Sequence, residues 1–187
     1  TTNWHTVQMW KELGATRVVA AREVSLADLK EMKDNVDIEI ESFVHGSMCI
    51  SYSGRCLLSN YMTGNRDANR GQCSQSCRWK YSLVESNRPG EYYPIEEDEH
   101  GTYIFTSKAL CLIHRIPDLY EAGIDSLKIE GRMKSVHYCA TVAKVYRTAI
   151  DTYLKEGKDW YVRPEWIAEL EKISHRPYTD GFAEGRP

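Results

Sequence analysis

The run from Glu41 to Tyr81, ESFVHGSMCISYSGRCLLSNYMTGNRDANRGQCSQSCRWKY, constrains this chain more than any other stretch. It carries Cys49, Cys56, Cys73 and Cys77, the glycines Gly46, Gly54, Gly64 and Gly71, and the arginines Arg55, Arg66, Arg70 and Arg78. Glycines at this density break helices and favour turns. Thiols are soft metal ligands, and guanidinium groups are forked receptors for anions. Such a mixture is the composition of a site held on loops, with little room for a helix.

The six cysteines of the 187-residue chain can be read three ways. In a secreted domain they would pair as disulfides. In a reducing compartment, clustered cysteines serve as metal ligands or as catalytic groups. A hydrophobic content of 42% is enough to bury a core without covalent staples, so reduced cysteines in the cytoplasm are the expectation. The net charge of -3 excludes a global attraction to nucleic acid or to anionic membrane, and any RNA contact must use a local basic patch. No run of about 18 or more apolar residues is present, which excludes a transmembrane helix and a membrane partner. No signal-peptide pattern opens the chain, and a start at Thr1 is expected of a trimmed chain.

Along the chain, Val7, Trp10 and Leu13 fall at helical spacing behind a possible cap at Asn3, so residues 4–13 are expected to be a helix ending at Gly14. Residues 17–21 (RVVAA) form a short buried strand, Ser25 caps a helix over 26–33 with Asp28 as its capping-box acid, and residues 38–44 alternate as a strand. Residues 85–101 are a polar loop with an EEDE run, 103–106 a short strand, and Ser107 caps a helix carrying Cys111. Pro117 starts another helix that stops at Gly123. SLKIE at 126–130 is a strand, and Ser135 caps the longest helix, 136–156, with Val136, Ala140, Ala143, Tyr146, Ile150 and Tyr153 on one face. A last helix runs from Pro164 to Ile173, before a turn-rich, extended tail.

Strands alternating with helices at this spacing imply parallel βα units and an α/β fold. An eight-stranded barrel typically takes about 250 residues. The chain is therefore expected to be the C-terminal part of a (β/α) TIM-like barrel, incomplete by itself. The expected layout is a partial barrel over 1–157 with a cysteine-rich insertion at 45–81, followed by a helix and extended tail over 158–187.

The run from Glu41 to Cys49 (ESFVHGSMC), then GRCLLS at 54–59, NRGQC at 69–73, CRWKY at 77–81, KIEGRMKS at 128–135 and HRPYTDGF at 175–182, resembles peptidase family U32, the collagenase-like peptidases. The resemblance extends over most of the chain. It implies a (β/α) barrel and, for several members, oxygen-independent or prephenate-dependent hydroxylation of a transfer RNA uridine, a ribosomal RNA cytidine or a ubiquinone precursor. It also implies, for some, an iron–sulfur cluster on four cysteines.

Spacing by itself leaves the metal open. Six residues separate Cys49 from Cys56, sixteen separate Cys56 from Cys73, and three separate Cys73 from Cys77. Four thiolates suit an iron–sulfur cluster or zinc, but the paired CxxC of zinc ribbons and the tight ferredoxin run are both missing. The resemblance places the fourth ligand well downstream. The set it implies for a 4Fe–4S cluster is Cys49, Cys56, Cys73 and Cys111, with Cys77 as the substitute and zinc as the alternative metal. The plain alternative is unligated cysteines packed under loops, and Cys139, on the long helix, is expected to be a small buried apolar residue.

Arg55, Arg66, Arg70 and Arg78 are candidate substrate-binding residues, suited to a dicarboxylate such as prephenate or to an RNA backbone, with Trp79 and Tyr81 placed to stack on a base. Their plain alternative is pairing with Asp67, Glu41 or Glu130, or facing water. Barrel sites lie at the C-terminal ends of strands, which makes Glu41, His45, Glu130 and Arg132 the candidate catalytic residues. His100 and His114 are expected at the surface or in packing. Peptidase chemistry finds neither HExxH nor GxSxG here, and a His45–Cys49 pair competes with ligation by Cys49.

The expected function is therefore iron–sulfur-dependent hydroxylation of a tRNA uridine. A collagenase-like peptidase is the alternative, and a non-catalytic, metal-stabilised binding subunit, as homo- or hetero-oligomer, is a second one.

Overall fold

The computed structural model describes residues 1–49, 51–79, 81–83, 86–87, 89–90, 93–94 and 108–185. Contacts divide the chain into two units, Thr1–Met48 with Lys108–Pro187, and Cys49–Ser107.

The first unit opens with α1 (Trp4–Glu12), where the Asn3 side chain accepts from Thr6 N at 2.9 Å, and continues through β1 (Arg17–Val19) to α2 (Leu26–Asn35). Ser25 and Asp28 form the capping box of α2, each side chain bonding the other's backbone N–H. β2 (Glu39–Ser47) is the central strand. The second unit holds α3 (Leu58–Thr63), β3 (Ser82–Leu83) and β4 (Tyr93–Pro94), the last two paired antiparallel. Back in the first unit come β5 (Ala109–Cys111), α4 (Ile116–Glu121), β6 (Ser126–Glu130), α5 (Val136–Glu156), α6 (Pro164–Glu171) and β7 (Tyr178–Thr179).

β6 runs parallel along one edge of β2. The other edge is shared by β1, parallel through Val18↔Ile40, and by β5, antiparallel through Gly46↔Leu110. β7 then pairs parallel to β5. The fold is mixed α/β. Helix-side alternation places Val18, Ile40 and Val44 in a core with Leu29, Met32, Ile116, Leu119 and Val142, and Leu127 and Ile129 pack against it. The opposite face carries Arg17, Glu39, Glu41, Phe43, Ser126 and Lys128. Asp125 ties β6 to β2, accepting from Ile40 N and Lys33 Nζ, both at 2.8 Å.

Two expectations need correction. Residues 109–111, expected on a helix, are a strand. ALCLI is a continuous apolar run whose periodicity favours neither element, and the free edge of β2 at His45–Ser47 supplies its backbone partners. On α5, the buried side chains are Tyr138, Val142, Val145, Tyr146 and Ala149, while Val136 is 87% exposed and Ala140 and Ala143 face water. Two alanines offer little apolar area, and Tyr138, Val142 and Val145 outweigh them. The expected strand at 103–106 lies outside the described residues, as do Ser107, His100 and most of the polar loop. No helix of the described residues is long and apolar enough to cross a membrane.

Taken by itself, the second unit is built from short turns, with 3-10 turns at Ala68–Arg70 and Ser76–Arg78 besides α3. Its described buried side chains are serines: Ser59, Ser74 and Ser76. Ser59 Oγ donates to Ser74 Oγ at 3.1 Å and accepts from Ser74 N at 2.9 Å. Asn60 Nδ2 donates to Asp67 Oδ1 at 2.6 Å, and Asn69 Nδ2 to Gly54 O at 2.9 Å.

Candidate functional site

The register of β2 against β6 shifts between Phe43 and His45. Such a bulge re-aims the side chains that follow it. Phe43 pairs with Lys128 on the polar face, whereas His45 pairs with Ile129 and turns to the helix side. There the imidazole is completely buried. The rings of Tyr138, Tyr146 and Tyr178 surround it at centroid distances of 6.0, 5.5 and 5.4 Å. His45 Nδ1 lies 3.4 Å from Tyr146 Oη. Tyr146 Oη in turn donates to Val44 O at 2.8 Å, with Cys111 Sγ at 3.8 Å. Among the described residues Nε2 of His45 has no hydrogen-bond partner. Burial, then the nearby His175 and Lys134, pushes the imidazole pKa down to about 4. Burial likewise raises the Cys111 thiol and raises the Tyr146 and Tyr178 phenols.

A layer of partners holds this cradle. Tyr178 stacks on His175 with centroids 4.0 Å apart, and its hydroxyl donates to Leu170 O at 3.0 Å. His175 has Arg176 O 2.7 Å from Nδ1 and Glu171 Oε2 3.1 Å from Nε2. Gly46 follows His45 because a Cβ there would stand 2.3 Å from Glu130 O, on a backbone at φ +112. A Cβ at Gly131 would meet Cys139 Sγ at 2.5 Å, which fits Cys139 as a packing residue.

The other candidate catalytic residues are placed differently. Glu41 lies on the polar face, its carboxylate held by Lys128 Nζ, by Ser126 Oγ at 3.0 Å and by Arg17 at 3.7 Å. The Lys128 hydrogen bond is the main cause of its lowered pKa, so Glu41 is a fixed anion rather than a poised base. Glu130 Oε1 accepts from Arg132 N at 3.0 Å, folding the turn after β6. Arg132 is exposed, and so is His114. The structure thus joins His45 and Cys111 through Tyr146, and joins Gly46 to Glu130, but sets Glu41 on the opposite side of the sheet from His45. Sequence reasoning placed Tyr146 on an apolar stripe and missed Tyr138, Tyr178 and His175 as walls. The HRPYTDGF motif was the available signal.

In the second unit Arg55, Arg66 and Arg70 are exposed and Arg78 is half-buried. Arg66 Nε donates to Gln72 O at 3.1 Å. Tyr52, Tyr61 and Trp79 show 49%, 83% and 46% of their surface to solvent. Tyr81, the other expected stacking residue, is half-buried with its hydroxyl on Ser76 O at 2.7 Å. None of the six cysteines is in a disulfide; Cys49 is exposed, Cys56, Cys73 and Cys77 are half-buried, and Cys111, in the first unit, is buried. The donor set suits a thiolate-bound group in kind. Among the described residues no group of three His, Cys, Asp or Glu side chains is placed to take a metal ion. Cys111 would also have to give up a thiol proton that burial retains.

Against known proteins, the chain is 52% identical over 185 residues to tRNA hydroxylation protein P1 of Bacillus subtilis (strain 168), covering 99% of this chain and 43% of the relative. It is 41% identical over 220 residues to tRNA hydroxylation protein P of Escherichia coli (strain K12), covering 96% and 48%. It is 34% identical over 181 residues to the 23S rRNA 5-hydroxycytidine C2501 synthase of the same organism, covering 94% and 26%. The chain thus spans less than half the length of these relatives. No solved structure matches it significantly. The model of peptidase family U32 matches residues 1–187, and the chain belongs to that family.

Proposed function

We propose that this chain is the later part of a (β/α) barrel in a protein that hydroxylates a uridine of transfer RNA by the prephenate-dependent route. The observation that carries the reading is the 52% identity, over 99% of the chain, to tRNA hydroxylation protein P1. Two features of the chain fit an RNA substrate. Residues 49–81 contain Arg55, Arg66, Arg70, Arg78 and Lys80 against a single acid, Asp67, although the whole chain is net negative. Exposed Tyr52, Tyr61 and Trp79 lie in the same unit, and aromatic faces beside cations are how single-stranded bases are held. The arginine forks also suit the two carboxylates of prephenate.

Cys49, Cys56, Cys73 and Cys111 would hold an iron–sulfur cluster, with Cys77 as the substitute ligand and zinc as the alternative metal. When bound, the cluster supplies one-electron transfer. Support comes from packing: among the described residues of the unit the buried side chains are serines, and thiolate–metal bonds supply folding energy where apolar burial is small. Of the four candidate catalytic residues, His45, Glu130 and Arg132 remain the proposed groups around the reacting base, while Glu41, held by Lys128 on the opposite face, is left to a structural role.

Nucleoside mass spectrometry of tRNA from a strain lacking the gene tests the reading. Hydroxylated uridine is expected to disappear, to return with the wild-type gene, and to stay missing with Cys49→Ser or Cys73→Ser. Unchanged hydroxyuridine in the deletion strain would end the proposal. Iron and acid-labile sulfide in protein prepared without air separate a cluster from zinc.

A further inference from the structure

The proton inventory around His45 fixes which ring nitrogen is open. Tyr146 has one hydroxyl proton, and at 2.8 Å Val44 O is a much better acceptor for it than Nδ1 at 3.4 Å. The phenol oxygen is then left to accept from Nδ1 at 3.4 Å or from the Cys111 thiol at 3.8 Å, and Nδ1 is the nearer and stronger donor. The Tyr178 proton goes to Leu170 O, so it cannot reach His45 either. Nε2, buried and without a partner among the described residues, is left as a lone pair without a donor. An unsatisfied buried polar atom in a well-packed site marks a place where a partner is missing.

We propose that His45 carries its proton on Nδ1 and presents Nε2 as a fixed acceptor for one O–H or N–H group of the bound substrate, with Tyr146 as the positioning residue that sets the tautomer. The assignment deepens the tRNA reading and rests on it for the identity of the substrate. The three tyrosine rings pack against the imidazole and hold its orientation, so Nε2 has a fixed direction. Tyr178, one wall, stands on β7, a two-residue strand.

Long-range 1H–15N NMR of the full-length protein, labelled with 15N-histidine, reads the tautomer directly. His45 is expected to show a pyridine-type Nε2 and a protonated Nδ1. Tyr146→Phe is expected to bring in the other tautomer, and adding tRNA to move the wild-type Nε2 signal upfield as it accepts a hydrogen bond. His45→Phe, which keeps the ring volume, is expected to lower tRNA hydroxylation at least tenfold at unchanged protein level, and His45→Gln, which keeps an acceptor, to recover part of it. A protonated Nε2 in the wild type overturns the assignment. A Nε2 signal already at its accepting position and unmoved by tRNA assigns the donor to a trapped water and overturns the substrate contact. Failure of the tRNA reading is told apart by a gel-shift assay: no tRNA binding alongside the expected tautomer and its Tyr146→Phe response removes the substrate, not the acceptor.

Discussion

Val7, Ile40, Ile113, Val142 and Leu170 are wholly withdrawn from water in the unit made of Thr1–Met48 and Lys108–Pro187, whereas between Cys49 and Ser107 the described buried side chains are Ser59, Ser74 and Ser76. Apolar burial is non-directional and tolerates small shifts. Buried hydroxyls contribute only where their hydrogen bonds are kept, and cost stability where they are not. The first unit should therefore hold its shape unaided, and the second should depend on a few directional bonds and on whatever its thiols bind.

The same substitution made in both units gives the largest expected contrast. Gly46→Ala forces a Cβ to 2.3 Å from Glu130 O at φ +112. It should cost on the order of 4 kcal/mol, enough to unfold much of the protein. Gly54 also has a positive φ, +78, but nothing lies within 4 Å of a Cβ there. Gly54→Ala should cost about 1 kcal/mol, the backbone penalty alone. Thermal melting of both variants checks this, and equal losses would erase the contrast.

His45 sharpens the comparison through pH. Its folded pKa of about 4 lies below the ordinary 6.5. Between these values the unfolded chain binds a proton that the folded chain refuses. The first unit should therefore have its full stability above pH 6.5 and lose up to about 3 kcal/mol as pH falls toward 4. The groups facing the imidazole are Tyr138, Tyr146 and Tyr178, with His175 and Lys134 beyond them. Denaturant melts from pH 7 to pH 4.5 should be flatter for His45→Phe than for wild type, and parallel curves would refute the assignment.

How far the sequence is legible differs between the same two regions. In the first unit, caps and periodicity announce the elements: Asn3, Ser25 and Ser135 all cap as their side chains suggest, and SLKIE is a strand. The failures have physical causes. Cys111 sits on a strand because β2 extends past β1 and offers an edge, a tertiary fact that no local window contains. The His45 cradle depends on a one-residue bulge and on tyrosines from α5 and β7, so its donors are distant in sequence. In the second unit, composition announces a site, but a segment whose described buried side chains are serines cannot be read from apolar periodicity.

Ser59→Ala is the next test in size. Ser59 Oγ both donates to and accepts from Ser74 and is fully buried. Its loss should cost the second unit about 1–2 kcal/mol and leave the first unit's melting unchanged. Limited proteolysis should then cut residues 49–107 sooner in the variant, while the rest survives as in wild type. Coupled loss of both units would show that they unfold as one.

The smallest expected effect on stability belongs to Tyr61. It is 83% exposed on α3, beside Leu57 at 75%. An exposed aromatic side chain with so little contact area adds almost nothing to folding, so Tyr61→Ala should shift stability by less than about 0.5 kcal/mol. Stacking on a base is worth about 1–3 kcal/mol, and at the low end the variant should bind tRNA roughly fivefold more weakly. Tyr146, enclosed in the other unit, has the opposite profile, because its ring fills the core and its hydroxyl is spent on Val44 O. A tyrosine exposed where it contributes no packing is open to a partner outside the fold. Unchanged tRNA affinity in Tyr61→Ala, measured at fixed salt, would return α3 to the status of plain surface and leave Trp79 and Tyr52 as the remaining stacking faces of the unit.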